Sequence, residues 1–356
     1  LMRILDMYIG RVIASTTFLT LTVFVSLSGI IKFVEQMKSV GKGNYDLAHA
    51  ALYVLYAIPQ DVSLFFPMSA LIGGLIGMGM MASSSELVVM QAAGLSRLDI
   101  IKSVMKSALL LIVISMAVGE WLAPQGEAAA RQVRAQAISG GSLISSSGGT
   151  WAKDGDYFVH IGEVQDQGSL KNIQIYRFNE QLKLSSWVSA SSAVYQKNAW
   201  QLRDVIETQI TAKEIIKASQ PVMSWSSTLT PDKLGVVTVK PESLSLRGLN
   251  DYLDYLEANK QDSSRYLLAF WRKIAQPITL AVMLLVALSF IFGPLRSVSM
   301  GARIMMGVAT GILFFIVNEV LGSLSLVYQL PAIFGAFMPS LIFVTVALYF
   351  LKKRAS

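Results

Sequence analysis

Six apolar runs, each long enough to cross a lipid bilayer as a helix, constrain this 356-residue chain more than any other feature. Crossing the hydrocarbon core takes about 20 apolar residues, because every backbone amide in lipid must be bonded within its own segment. The runs lie at about Val12–Ile31, Val62–Met81 and Ser103–Trp121 and, after a long polar gap, at Ile274–Phe292, Ile304–Leu324 and Ile333–Leu351. The chain therefore reads as an α-helical membrane protein with six transmembrane helices and a domain inserted between the third and the fourth. A hydrophobic fraction of 53% and a charged fraction of 15% agree with that class. The first run lacks a small-residue cleavage site and is followed by Lys32 and Glu35, so it is expected to be retained as an anchor.

Orientation follows from the short loops, whose Lys and Arg stay on the cytoplasmic side. One side carries Arg3, Arg11, Arg97, Lys102, Lys106, Arg296, Arg303, Lys352, Lys353 and Arg354, against Lys32, Lys38 and Lys42 in the first loop of the other. Both termini are thus expected in the cytoplasm and the insert outside. The net charge of +7 is topogenic and lipid-facing, since no continuous basic arm or face offers itself to nucleic acid. The chain has no Cys, so the insert has to fold on its own core without disulfides.

Three segments emerge: residues 1–139 with the first three spans, 140–245 as the inserted domain, and 246–356 with a polar connecting helix, Leu246 to Lys260, and the last three spans. Between Gly140 and Pro241 stand one of the 16 Met, Met223, and four of the six Trp: Trp151, Trp187, Trp200 and Trp225. Runs such as Tyr157–Ile161, Ile173–Tyr176, Trp200–Leu202 and Val236–Val239 are rich in β-branched and aromatic residues, with Gly-Asp, Asn-Glu and Lys-Asn pairs as turns. They predict an all-β domain, a sandwich, jelly roll or open barrel.

Catalytic chemistry is hard to find. The two His, His49 and His160, stand apart from any carboxylate cluster, which argues against a metal site. No phosphate-binding G-x-x-x-x-G-K-[ST] string, nucleophile elbow or H-E-x-x-H occurs, so this chain is not expected to hydrolyse a nucleotide alone.

Four other groupings stand out. Ser83 to Gly94, between the second and third spans, reads as a short helix with serines as N-cap, Glu86 at its positive end and Gly94 as its stop. Val89, Met90 and Ala93 group on one side, which suits either a headgroup-lying helix or a coupling helix docked in a cytoplasmic motor. Lys32 and Lys38 after the first span, and Arg131 and Arg134 after the third, put positive charge where the topology rule disfavours it. Arg131 and Arg134 share a face if the helix continues. The set fits ordinary snorkelling or a ring holding a phosphorylated lipid head. Asp61, Glu120, Asn318 and Glu319 interrupt apolar runs near helix ends, where interfacial solvation lowers their cost. Phe65, Phe66 and Met68 beside Pro67 fit an acyl-chain cavity or plain core packing equally well.

A set of strings adds a resemblance that covers nearly the whole chain: Asp6-Met7-Tyr8-Ile9-Gly10, Ser26-Leu27-Ser28-Gly29-Ile30-Ile31-Lys32-Phe33-Val34, Glu86-Leu87-Val88-Val89-Met90-Gln91-Ala92, Gly119-Glu120-Trp121, Ala123-Pro124-Gln125-Gly126-Glu127, Leu229-Thr230-Pro231-Asp232-Lys233-Leu234-Gly235 and Ser289-Phe290-Ile291-Phe292-Gly293-Pro294-Leu295-Arg296-Ser297. The chain resembles the LptF/LptG permease family of lipopolysaccharide-exporting ABC transporters, on its LptG side; the LptF-type paralogue is the nearest rival, and a membrane-anchored scaffold or enzyme the rival of another class. The resemblance implies a non-enzymatic permease in a Gram-negative inner membrane, paired with an LptF-type permease, an LptB-type ATPase dimer, an LptC-type membrane-anchored protein and an LptA-type bridge. Its insert would be a periplasmic jelly roll, and lipopolysaccharide would leave the outer leaflet of the inner membrane through a cavity between the two permeases.

On the same basis Glu86 falls on the family's coupling-helix glutamate, which would meet a basic groove of the ATPase, and Val89 and Met90, grouped on one side of that helix, are candidate coupling contacts beside it. Lys32, Lys38, Arg131 and Arg134 fall on contacts to lipopolysaccharide phosphates and inner sugars; Phe65, Phe66 and Met68 remain candidate acyl-chain contacts from their grouping beside Pro67 alone. Some relatives carry a second lysine after the one matching Lys38; here Ser39 follows, so that contact is lost or supplied by Lys42.

Overall fold

The computed structural model describes residues 2–139, 149–165, 168–179, 181, 183–211, 214–231, 233–234, 240–292 and 298–353. Six helices among them are long and apolar enough to cross a membrane, as the six runs predict. The chain forms two compact units.

The first unit comprises Leu1–Val34, Tyr56–Glu127 and Ser264–Ser356. Its helices are α1 (Met2–Met37), α2 (Leu47–Ser83), the short α3 (Glu86–Ala92), α4 (Arg97–Ala117) and, from the second half of the chain, α7 (Ser264–Phe292), α8 (Met300–Val327) and α9 (Ala332–Lys353). At 1.5 Å per residue, the 36 residues of α1 and the 37 of α2 exceed a hydrocarbon core of about 30 Å, so both run well past it. The core gathers Ile9, Ile13 and Leu21 of α1, Phe66, Leu71, Leu75 and Met78 of α2, Ile100, Val104 and Leu111 of α4, and Leu280, Leu284, Leu288 and Ile291 of α7. The apolar stretches of α1 and α8 are only 17% and 11% buried, leaving broad greasy faces for lipid or another chain.

The third span does not stop at its apolar boundary. A π-turn over Val118–Leu122 joins α4 to α5 (Ala123–Ser139), so the helix continues through Arg131 and Arg134 as their spacing requires.

The second unit comprises Glu35–Leu55 and Ala128–Ser263. Six antiparallel strands form one sheet: β1 (Thr150–Asp154), β2 (Tyr157–Gln165), β3 (Ser169–Phe178), β4 (Leu184–Gln196), β5 (Ala199–Ile210) and β6 (Ile215–Trp225). The expected inserted β-domain is present. Its described strands pair in chain order, an up-and-down arrangement rather than the crossed order of a Greek key. Gly155-Asp156 and Lys197-Asn198 make two-residue hairpin turns, with Lys197 and Asn198 both at positive φ, and Asn179 Oδ1 accepts from the amides of Gln181 and Lys183. The run Val236–Val239 lies outside the described residues, as do Gly293 to Ser297 and Arg354.

One sheet face is dry, with Val159, Ile161, Leu170, Ile173, Leu202 and Val205 buried around Trp200, whose indole donates to Leu229 O at 2.7 Å. The connecting helix α6 (Leu246–Ala258) is fastened to the first hairpin. Tyr255 donates to Lys153 O at 2.6 Å, and Asn259 Oδ1 accepts from Gly155 N at 2.7 Å.

Candidate functional site

The loop between α2 and α4 folds as expected in outline and differently in detail. Gly94, at φ 94°, stops α3 in the left-handed conformation that favours glycine. The serines do not supply the expected cap: Ser85 occupies the N-cap position at φ 63° without a side-chain bond, and Ser84 Oγ instead donates to Glu86 Oε1 at 2.8 Å. The other carboxylate oxygen of Glu86 accepts from Tyr8 at 2.8 Å. Leu87 is buried and Met90 packs inward against the core, whereas Val88 and Val89 are 54% and 65% exposed. The outward apolar surface is therefore Val88 and Val89 rather than Val89 and Met90. A capping box at Ser96 and Asp99 then starts α4.

Of the four basic residues, the second unit holds Lys38, Arg131 and Arg134. The loop carrying Lys38 and Lys42 is pinned to α5 by Asn44 N donating to Ala137 O at 2.7 Å, and Tyr45 donates to Gln36 Oε1 at 3.0 Å. Lys38, Lys42 and Arg134 are exposed, and Arg131 is half-buried. Arg134 Nη2 donates to Ser39 Oγ at 3.3 Å, and Ser39 is buried. The residue after Lys38 thus steadies Arg134 instead of offering a charge. Burial pushes the Tyr45 phenol above its ordinary pKa, with the Arg134 guanidinium pulling the other way.

Lys32 belongs to the helical unit. Its Nζ donates to Asp61 Oδ1 at 2.7 Å, and Ser28, one turn earlier on α1, donates to Oδ2 at 3.1 Å. Asp61 is buried and Lys32 half-buried. Asp61 is therefore held by a counter-ion, where the sequence suggested solvation at a helix end.

The other polar residues in the spans also have partners. Arg272 on α7 reaches Glu319 Oε1 at 3.1 Å and Asn318 O at 2.7 Å on α8. Lys273 donates to Gly119 O at 2.9 Å, with Glu120 Oε2 at 3.9 Å. The π-turn loosens the helical ladder there, leaving the Gly119 carbonyl accessible to a side chain. Gln276 donates to Ser63 Oγ and Ser115 Oγ, each at 3.3 Å. Sequence reasoning missed Arg272 and Lys273; the available signal was two cations directly before an apolar run, facing acids at the ends of two others.

Phe65 stacks on Phe24 with ring centroids 5.7 Å apart, and Phe66 meets Phe18 edge-on at 6.3 Å. Phe66 has no exposed surface, so it stands behind any wall that Phe65 and Met68, both half-buried, present.

The model of the family "Lipopolysaccharide export system permease LptF/LptG" matches residues 7–353. The chain is 49% identical over 355 residues, 99% of each chain, to the lipopolysaccharide export system permease protein LptG of Escherichia coli strain K12. It is 50% identical over 352 residues, 98% of each chain, to the protein of the same name from Haemophilus influenzae. This chain, with its six candidate spans and inserted β-domain, belongs to the LptF/LptG family of lipopolysaccharide export system permeases.

Proposed function

We propose that the chain is the LptG-type permease subunit of an ABC exporter that draws lipopolysaccharide from the outer leaflet of the inner membrane and passes it to a periplasmic bridge. The names of the relatives at about half identity support the subunit type. The structural observation that carries the reading is the pinning of the Lys38–Lys42 loop to α5, which gathers Lys38, Lys42, Arg131 and Arg134 in one compact unit. An amphiphile with several acyl chains and a phosphorylated head calls for apolar helices followed by cations able to bind phosphate oxygens, and the chain supplies them in that order.

In this reading Lys38, Arg131 and Arg134 bind the phosphates and inner sugars. Lys32, on α1 of the helical unit, is a further phosphate contact, where an arriving phosphate competes with Asp61 for its ammonium group. Phe65 and Met68 meet acyl chains. Both termini are cytoplasmic and the β-domain is periplasmic, supported by the ten basic residues assigned to one side.

Removing acyl chains from lipid costs about 0.8 kcal/mol per methylene, so extraction needs an energy source. An LptB-type ATPase dimer provides it through Glu86 and the exposed Val88-Val89 pair, and an LptF-type permease completes the cavity. LptC- and LptA-type proteins receive the lipid. Co-expression with the LptF- and LptB-type subunits, followed by purification on a tag carried by this chain, tests the assignment. All three are expected to elute as one complex; this chain eluting alone under conditions that preserve the complexes of its relatives would overturn it.

A further inference from the structure

The string Asp6-Met7-Tyr8-Ile9-Gly10 has no part in the transport reading, yet nearly every group in it is engaged. Tyr8 donates its hydroxyl to Glu86 Oε2 at 2.8 Å. Asp6 accepts from Ser103 through Oδ1 and from Lys106 Nζ through Oδ2, the latter at 2.6 Å. Ile9 is fully buried in the core. Gly10 lies so close to α4 that a Cβ there would come within 3.0 Å of Ser107 Oγ. One turn of α1 is thus seated on α4 and reaches the start of α3 through the Tyr8 hydroxyl.

Helix α3 is seated through Leu87 and Met90, but the turn that carries Glu86 is weakly capped. It is seven residues long, and its N-cap residue is left-handed and makes no side-chain cap. Ser84, two residues before Glu86, is its local partner and also donates to Met80 O at 3.0 Å at the end of α2. Tyr8 is the partner of Glu86 that comes from a helix anchored elsewhere.

We infer that Tyr8 is a positioning residue for ATPase coupling: its hydroxyl holds the Glu86 carboxylate in the direction from which a basic groove of the ATPase meets it, and Asp6 fixes the turn that carries Tyr8. The inference rests on the coupling role proposed for Glu86. Each carboxylate oxygen has more than one acceptor site, so Glu86 can receive a cation while keeping Tyr8. Tyr8 is 44% exposed, and an ATPase docked over it shields the bond from water. A charge-assisted hydrogen bond that counts for little in water strengthens as it is desolvated.

The test uses the complete permease and ATPase complex in proteoliposomes with lipopolysaccharide, measuring lipid transferred per ATP hydrolysed. Tyr8→Phe keeps the ring and removes the donor; it is expected to lower that ratio about fivefold, the worth of one net hydrogen bond. Adding Glu86→Ala to Tyr8→Phe is expected to give no loss beyond that of Glu86→Ala alone. A wild-type ratio for Tyr8→Phe, or losses that multiply in the double variant, would overturn the inference. If Glu86→Ala itself transports with wild-type economy, the coupling reading fails, which is a separate outcome. Should Tyr8→Phe not assemble, Ser103→Ala loosens Asp6 while leaving Tyr8 and Glu86 in place. A smaller loss of the ratio, absent from the Glu86→Ala background, is then expected, and an unchanged ratio would overturn the proposal.

Discussion

Lys32 Nζ lies 2.7 Å from Asp61 Oδ1, a carboxylate that is 3% exposed and sits inside an apolar helix. Each explains the presence of the other. An isolated ion in that setting is costly, and removing one partner of a buried pair leaves the other uncompensated. Asp61→Asn is expected to destabilise the purified protein by about 1–3 kcal/mol, less than for a fully buried pair because Lys32 keeps some exposure. Asp61→Asn combined with Lys32→Gln should recover part of the loss. Thermal unfolding of the two single variants and the double variant in detergent measures it, and losses that simply add in the double variant would show that the pair is not coupled.

Lys273 should matter more to stability than Glu319. Lys273 is largely buried and feeds a backbone carbonyl at the π-turn, whereas the side chain of Glu319 is 51% exposed. Lys273→Ala leaves Gly119 O and Glu120 without this donor, at a cost of about 1–3 kcal/mol. Glu319→Gln should cost about 0–1 kcal/mol, as solvated pairs do. Parallel melting curves decide between this order and its reverse.

Burial in the second unit raises the pKa of Tyr255 from 10.0 to about 12. Its hydroxyl donates to Lys153 O, which only the protonated phenol can do. A folded-state pKa above the unfolded one means the contribution is fully present below about pH 10 and is lost as the pH climbs toward about 12. Tyr255→Phe should therefore lower stability by about 1–2 kcal/mol at neutral pH. The gap between wild type and variant should close over that alkaline window. Tryptophan fluorescence follows it, since four of the six Trp lie in the insert.

Arg134→Glu should weaken lipopolysaccharide binding by about 1–3 kcal/mol, because in the proposed site Lys38, Lys42 and Arg131 share the phosphate with it. Ser39→Ala, which only frees the Arg134 side chain, should cost less. Titration of lipopolysaccharide into nanodisc-held complex measures both, and a larger effect for Ser39→Ala would mean that the hydroxyl contacts the lipid itself.

The spans were legible because a 20-residue apolar run has few fates other than a membrane helix. Their true lengths were not, since α2 begins at Leu47, well before the apolar run that starts near Val62. In the β-domain Gly155 and Asn198, of residue types that tolerate positive φ, announced their hairpins. Strand β4, Leu184–Gln196, was quieter, being rich in Ser and Ala that carry little strand preference. The pairings of the polar residues in the spans were not legible. Lys32 with Asp61 and Lys273 with Glu120 are set by helix packing between distant parts of the chain, which spacing cannot reveal. Helix α3 shows the same limit: a serine before Glu86 satisfied the sequence rule for a cap, but the left-handed Ser85 makes none.

Photo-crosslinking from position 38 or 131 in living cells, probed for lipopolysaccharide with an active or a hydrolysis-dead ATPase, tests the transport reading most directly. Crosslinks at both positions are expected, in amounts that change when ATP turnover stops. No crosslink at either position would return Lys38 and Arg131 to ordinary headgroup contacts and contradict the proposed lipid path.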